Sequence, residues 1–167
     1  MRVLVSCQHY WPEPFNTGDV CEALVARGHE VTVITALPNT GMPGNDIPAE
    51  WRDPSRRDAV RNGVRVIRAD LHPRLSGGVN RVRNYLTFWH NANKMARGLG
   101  DDYDVALGYQ FSPVMQADPA LVWARKSRKK ALLYCFDLWP ASLLAGGFKE
   151  SSLPFRWMRS VSKRIYS

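Results

Sequence analysis

The sequence contains no run of about 18 apolar residues, which excludes a membrane-spanning helix. Cysteine is scarce: Cys7, Cys21 and Cys135 stand far apart with no paired spacing. That excludes a disulfide framework and a C-x-x-C zinc site. Cys7 and Cys135 lie within apolar strand patterns and are expected to be small buried hydrophobes. No G-x-G-x-x-G follows the first apolar run, and P-loop, H-E-x-x-H and G-x-S-x-G patterns are absent. Gln8-His9-Tyr10-Trp11 fills the turn where glycines would have to approach a pyrophosphate, so dehydrogenase-type dinucleotide binding is disfavoured. A secretory leader is also disfavoured. The opening apolar run Val3–Cys7 is too short, and His9-Tyr10-Trp11-Pro12 stands where small residues would be cleaved. The expected location is cytoplasmic.

What is present is an ordinary globular composition, 45% hydrophobic over 167 residues, enough for one domain with a core. The unusual global property is a net charge of +8. Basic residues gather in Arg52–Arg83, in Arg125–Lys130 and in Arg156–Arg164. Such an excess points to an anionic partner: a membrane surface, a phosphorylated small molecule or nucleic acid. Nucleic acid is not expected, because neither a recognition helix nor an aromatic stacking platform on the strands is evident.

Five apolar segments read as strands: Arg2–Cys7, Glu30–Thr35, Val64–Ala69, Asp104–Tyr109 and Ala131–Phe136. The first, fourth and fifth are nearly continuous runs, as in strands covered on both faces. The second and third alternate more and suit positions nearer an edge. Between the first two strands, Asp19 in a first turn, an apolar face of Val20, Ala23 and Leu24, and a Gly28 stop define a helix. A second helix is predicted over Val79–Leu99, a third region opens at Ser112-Pro113 and restarts at Asp118-Pro119, and Phe155–Ser167 has helical spacing. Gly41–Asn62, rich in Gly, Pro, Asp and Arg, reads as a long loop. The alternation predicts an α/β fold, a Rossmann-like doubly wound parallel sheet.

Two apparent motifs fail on position. Asp102-Tyr103-Asp104 matches a metal-binding D-x-D but precedes a strand instead of following one. Glu22 and Glu30 show E-x7-E spacing, yet one is on a helix and the other opens a strand, so they do not converge. The better constellation is spatial, since ligands of a parallel sheet sit beyond the carboxyl ends of its strands. Those ends carry His9 and Trp11, Asn39, Ser112, and Asp137 with Trp139. Asn16-Thr17-Gly18 leads into the first helix, whose free amides suit a phosphate; helix capping is the plainer role for Asn16 or Thr17. Asp137 is the candidate catalytic residue, accepting a hydrogen bond from an acceptor hydroxyl. Its alternative is to tie down the loop that follows, and the alternative for Trp139-Pro140 is packing alone.

Taken in order, RVLVSCQHYWPEPFNTGDVCEALVARGHEVTVITALPN, NGVRVIRA, RVRNYLTFW, YQFSP and LLYCFDLWPASLLAGG cover nearly the whole chain. They resemble the amino-terminal domain of family-4, GT-B-fold glycosyltransferases, closest to the branch that builds capsule, colanic-acid and O-antigen polysaccharide. The combination of YWPE, LPN, NGVRVIR and DLWP carries the resemblance. It implies metal-independent, retaining transfer, with no cofactor, from a nucleotide-diphosphate sugar donor to a lipid-linked or saccharide acceptor. It further implies that residues 1–167 are the acceptor-side half, truncated before a donor-binding carboxyl-terminal domain and inactive alone. His9, Trp11, Asn39, Ser112 and Trp139 would then meet the acceptor, and Asn16, Thr17 and Gly18 would lie near the donor phosphates. Relatives often carry paired glycines in that loop, where this sequence has one, and often a His or Gln before Asp137, where this sequence has Phe136. The basic segments would lean on the inner face of the plasma membrane, the plain alternative being a solvated basic face. A non-enzymatic sugar- or partner-binding module is the competing functional reading.

Overall fold

The computed structural model describes residues Met1–Ser167. β1 (Arg2–Ser6), α1 (Thr17–Ala26) and β2 (Glu30–Ala36) form the predicted βαβ unit, with Gly28 at φ +81° turning the chain out of the helix. β3 (Asp58–Arg61) and β4 (Val64–Ala69) follow, then α2 (Gly78–Gly98), β5 (Val105–Gln110), α3 (Asp118–Ser127) and β6 (Lys130–Cys135). A short α4 (Ser142–Ala145) and α5 (Leu153–Tyr166) complete the chain. No helix is long and apolar enough to cross a membrane.

The sheet has six strands in the order β3-β4-β2-β1-β5-β6, all parallel except β3. The five predicted strands therefore form the doubly wound sheet as expected, with one antiparallel strand added at the edge. That strand lies in the segment expected to be loop. Gly41–Asn62 contains three 3-10 turns and then β3, joined to β4 by Asn62-Gly63, both at positive φ. Two successive positive-φ residues make the type I′ turn that matches the twist of an antiparallel hairpin.

Two clusters sandwich the sheet. On one face Leu4, Ile34, Ile67 and Ala106 meet Phe88, Ala92 and Ala96 of α2 and Trp123 of α3. On the other, Val3, Val5, Val33, Val64 and Val66 meet Cys21 of α1. Strand position differs from expectation. β2 is interior, whereas β6 is an edge whose Leu132, Tyr134 and Phe136 are 63%, 52% and 47% exposed. α1 packs chiefly on β2 and β4, and Leu132, Tyr134 and Phe136 of β6 lie bare on that face. Cys135, expected to be buried, is exposed at the same edge, while Cys7 and Cys21 are sealed in the core.

α5 is held by a third cluster, in which Met158, Val161 and Ile165 pack on Val114 and Met115. The fully buried carboxylate of Asp118 secures it. Arg164 donates to Asp118 at 2.9 Å, Trp89 Nε1 at 2.5 Å and Asn93 Nδ2 at 3.0 Å. Donors from α2 and α5 thus converge on one side chain of α3, which offsets the desolvation of its charge.

Two outcomes follow from this architecture. A Cβ on Gly63 would stand 2.8 Å from Val25 Cγ1 at a φ of +80°. Gly63→Ala should lower unfolding stability by more than about 1 kcal/mol in urea. Gly63→Ala with Val25→Ala should suffer less from the clash than the two losses summed. Burial raises the Cys7 thiol from 9.0 to about 12, so the folded state keeps a proton that the unfolded chain releases. Stability contributed this way is complete below pH 9 and falls toward pH 12, by about 1.4 kcal/mol per pH unit. Urea unfolding of the wild type and Cys7→Ala between pH 8 and 11 should show a shallower decline in the variant.

Candidate functional site

The carboxyl ends of β1, β2, β4, β5 and β6 share one rim, and the segments that leave them are tied to one another. Glu13, 4% exposed, is the centre of the β1–β2 side. Its Oε2 lies 2.7 Å from His9 Nδ1, and its Oε1 accepts backbone N–H groups of Asn39 at 2.7 Å and Thr40 at 2.6 Å. Asn39 continues the network. Its Nδ2 donates to Leu37 O, while its Oδ1 accepts from Asn84 Nδ2 at 3.0 Å and the Arg74 amide at 3.2 Å. Asn84 also donates to His72 O at 2.7 Å and accepts from Gln8 Nε2 at 2.6 Å. One buried polar chain therefore joins the exits of β1, β2 and β4 to α2.

The predicted residues fall into distinct settings on this rim. His9 is buried and stacks on Phe15 at 4.4 Å, and Asn39 is fully buried. Trp11 is 40% exposed, lies edge-on to Trp51, and carries the Arg61 guanidinium 4.1 Å above its ring. Its carbonyl accepts from Arg68 at 2.6 Å. Arg68 is buried, and desolvation lowers its guanidinium to about 10. Asn16 is exposed and makes no side-chain cap to α1; its Oδ1 accepts from Tyr109 Oη at 3.0 Å. The first amides of α1 therefore have no side-chain cap from Asn16. Thr17 is sealed with no partner for its Oγ1, and Gly18 has only the Tyr10 ring within 4.0 Å of a would-be Cβ.

On the β5–β6 side, Asp137 is half-buried. Its carboxylate accepts from Trp139 Nε1 at 3.0 Å and from the Ser142 hydroxyl, and its carbonyl accepts from Gln110 Nε2 at 2.5 Å. Tyr166 of α5 reaches the same turn, accepting from Gln110 Nε2 at 3.0 Å and from the Trp139 amide at 3.3 Å. Asp137 thus ties down the loop that opens α4. Ser112 and Trp139 line a groove of about 730 Å³ between α2, α4 and α5. His9, Asn39 and Glu13 belong to the sealed network at the other side of the rim.

The strand ends also hold an aromatic platform that sequence reading did not detect. Phe111 and Phe136 stack at 4.8 Å, and Tyr109 and Tyr134 meet Phe136 at 5.1 and 4.5 Å. Adjacent parallel strands bring these rings together, although they are far apart in sequence. Glu13, within YWPE, and Asn84, within RVRNYLTFW, had no role assigned from the sequence, yet each left a trace. Glu13 follows His9 by four residues in the same turn, and Asn84 stands four residues before Phe88 on the buried stripe of α2. Asp102 and Asp104 sit at the opposite, amino-terminal ends of β1 and β5, engaged by the side chain and amide of Arg2 at 3.3 and 2.7 Å. Glu22 accepts from Asn62 on the α1 face, away from Glu30 at the start of β2.

The role of Glu13 has a direct test. Glu13→Ala leaves two buried amides without an acceptor and should cost about 2–5 kcal/mol in urea unfolding. Glu13→Gln keeps an oxygen for Asn39 and Thr40 and should cost less than half as much. Equal losses would show that the amide contacts contribute nothing.

Residues 16–167 match the glycosyl transferase 4-like domain family. Among solved structures, the crystal structure of CalG4, the calicheamicin glycosyltransferase, is similar with a TM-score of 0.55 at 12% identity. The similarity covers 99% of this chain and 43% of that one, so the chain spans less than half the length of CalG4. At that identity the likeness is one of fold. No curated protein matches the chain.

Proposed function

This chain belongs to the glycosyl transferase 4-like domain family, and we propose that it is the acceptor-side half of a retaining, metal-independent transferase that moves a sugar from a nucleotide-diphosphate donor. The donor would be held chiefly by a second, carboxyl-terminal domain facing the rim. The acceptor would be lipid-linked or a saccharide, and the pathway one of surface polysaccharide synthesis, by resemblance to the capsule, colanic-acid and O-antigen branch. The observation that carries this reading is the family match over residues 16–167 on a sheet whose five parallel carboxyl ends open on one rim.

The accessible groups of that rim suit the roles assigned from the sequence. The α1 amino terminus beside Asn16, Thr17 and Gly18 supports a place for donor phosphate. Exposed Trp11 and half-buried Ser112 and Trp139 offer aromatic and polar surface to an acceptor, with Asp137 beside Trp139. His9 and Asn39 would act through the rigidity of the turns they hold. The exposed cations Arg81, Arg83 and Arg156, none paired with a carboxylate, support contact with an anionic inner membrane face, at about 1 kcal/mol each. The engagement of His9, Asn39 and Asp137 in internal bonds favours one alternative, a binding module that performs no transfer.

Nucleotide-diphosphate release separates the two readings. The 167-residue chain, offered UDP- and GDP-sugars with saccharide acceptors, should release none. Joined after Ser167 to the donor-binding domain of a family member, it should release nucleotide and give a product of unchanged anomeric configuration by NMR. Silence of the fused protein alongside sugar binding by the isolated chain would support the binding module. Turnover by the isolated chain would remove the need for a second domain.

A further inference from the structure

α2 has two apolar stripes, and the second is covered by the core only at Tyr85. Asn84, Phe88, Ala92 and Ala96 face the sheet. A second stripe, in which Arg81, Val82, Tyr85 and Leu86 recur at helical spacing, faces the groove of about 730 Å³ that Trp139 of the rim and Trp157 of α5 also line. Val82, Leu86 and Trp157 are open to water, at 55%, 36% and 48% exposed, while Tyr85 and Trp139 are half-buried. Apolar side chains gathered in a concavity of this size mark a ligand site more often than scattered surface hydrophobes do.

The charge of the groove selects the ligand. Arg81 is the one charged residue that lines it, and no carboxylate does. Arg81 makes no ion pair or side-chain hydrogen bond, and the Arg74 guanidinium, just outside the lining, lies 5.5 Å over the Tyr85 ring. A guanidinium beside an apolar trough complements a molecule with a hydrocarbon chain and an anionic end. We infer that the groove between α2, α4 and α5 binds the chain of a lipid phosphate, with Arg81 and Arg74 at its phosphate. This rests on the acceptor-side reading and narrows it: of the two acceptor classes, the lipid-linked one fits. Because Ser112 and Trp139 line the groove from the rim, a lipid seated there would be anchored next to the strand ends.

The test uses monomeric alkyl phosphates below their micelle thresholds, titrated into the 167-residue chain by calorimetry and tryptophan fluorescence. Decyl phosphate should bind saturably and about tenfold or more tighter than octyl phosphate, as expected for two more buried methylenes. Inorganic phosphate should not compete. Arg81→Ala should weaken decyl phosphate about tenfold while leaving decanol unchanged. Leu86→Asp and, independently, Val82→Asp place a carboxylate in the wall at exposed positions and should abolish binding with an unchanged circular dichroism spectrum. Affinity independent of chain length, equal binding of inorganic phosphate, or adsorption to anionic vesicles without binding of monomeric decyl phosphate would each overturn the inference. These outcomes are separate from the transferase reading. Transfer by the two-domain fusion onto a water-soluble saccharide, with no alkyl phosphate binding, would keep the enzyme and discard the groove.

Discussion

The carboxylate of Glu13 is the interaction on which the rim depends. A charge 4% exposed is costly to bury unless hydrogen bonds replace its hydration. Here the imidazole of His9 and the amides of Asn39 and Thr40 all lie within 2.7 Å of it. Those partners come from two different strand exits. The Asn39–Asn84–Gln8 relay then extends the tie to α2 and to the turn after β4. Because Glu13, Asn39 and Asn84 each hold bonds to the next member, removing one leaves its neighbours unpaired in a low-dielectric setting, as the Gln8 side-chain carbonyl oxygen already is. The geometry of three loops is thereby linked to a single side chain.

The β5–β6 side is fixed differently. Asp137 binds its own loop through Trp139 and Ser142, and Tyr166 closes the turn from α5. The position of Tyr166 depends in turn on Asp118, which collects Arg164, Trp89 and Asn93. Between these two anchors α5 and α2 do not close on each other, and the groove is the space they leave. The sealed network and the open groove are thus two consequences of where the buried carboxylates stand.

Much of this was legible from residue pattern, and the losses have physical causes. The period of apolar residues located β1, β2, β4, β5 and β6 because parallel strands carry long apolar runs. It did not locate β3, since Asp58–Arg61 is exposed in three of four positions and has no apolar face to register. The available signal there was Asn62-Gly63 between two strand-forming segments. Nor does periodicity reveal which strand ends as an edge. Leu132, Tyr134 and Phe136 read as core residues although β6 has a neighbour on one side only, and Cys135 misled for the same reason. The rim residues were singled out because they follow strand ends, where ligands of a parallel sheet bind, and the structure places them after those ends. Their bonding was not, because Glu13 to Asn39 and Asn39 to Asn84 are pairings between distant segments that no local pattern encodes.

Sealing His9 and Asn39 changes what kind of recognition the rim offers. Polar groups already bonded to the protein gain little from a ligand, since any new bond must first displace an existing one. What they provide is a frame that does not reorganise when a ligand arrives, which lowers the entropy lost on binding. On the proposed reading, contact would pass to groups the frame leaves free: the ring of Trp11, the uncapped start of α1 beside exposed Asn16, and the bare faces of Tyr134 and Phe136. These are aromatic surfaces and backbone amides, which bind through shape, stacking and dipoles with little demand for a proton donor or acceptor from the side chains. Phe136 beside Asp137 fits that pattern. An apolar ring, 47% exposed, occupies the exit of β6 and leaves Asp137, bonded to Trp139, as the carboxylate there.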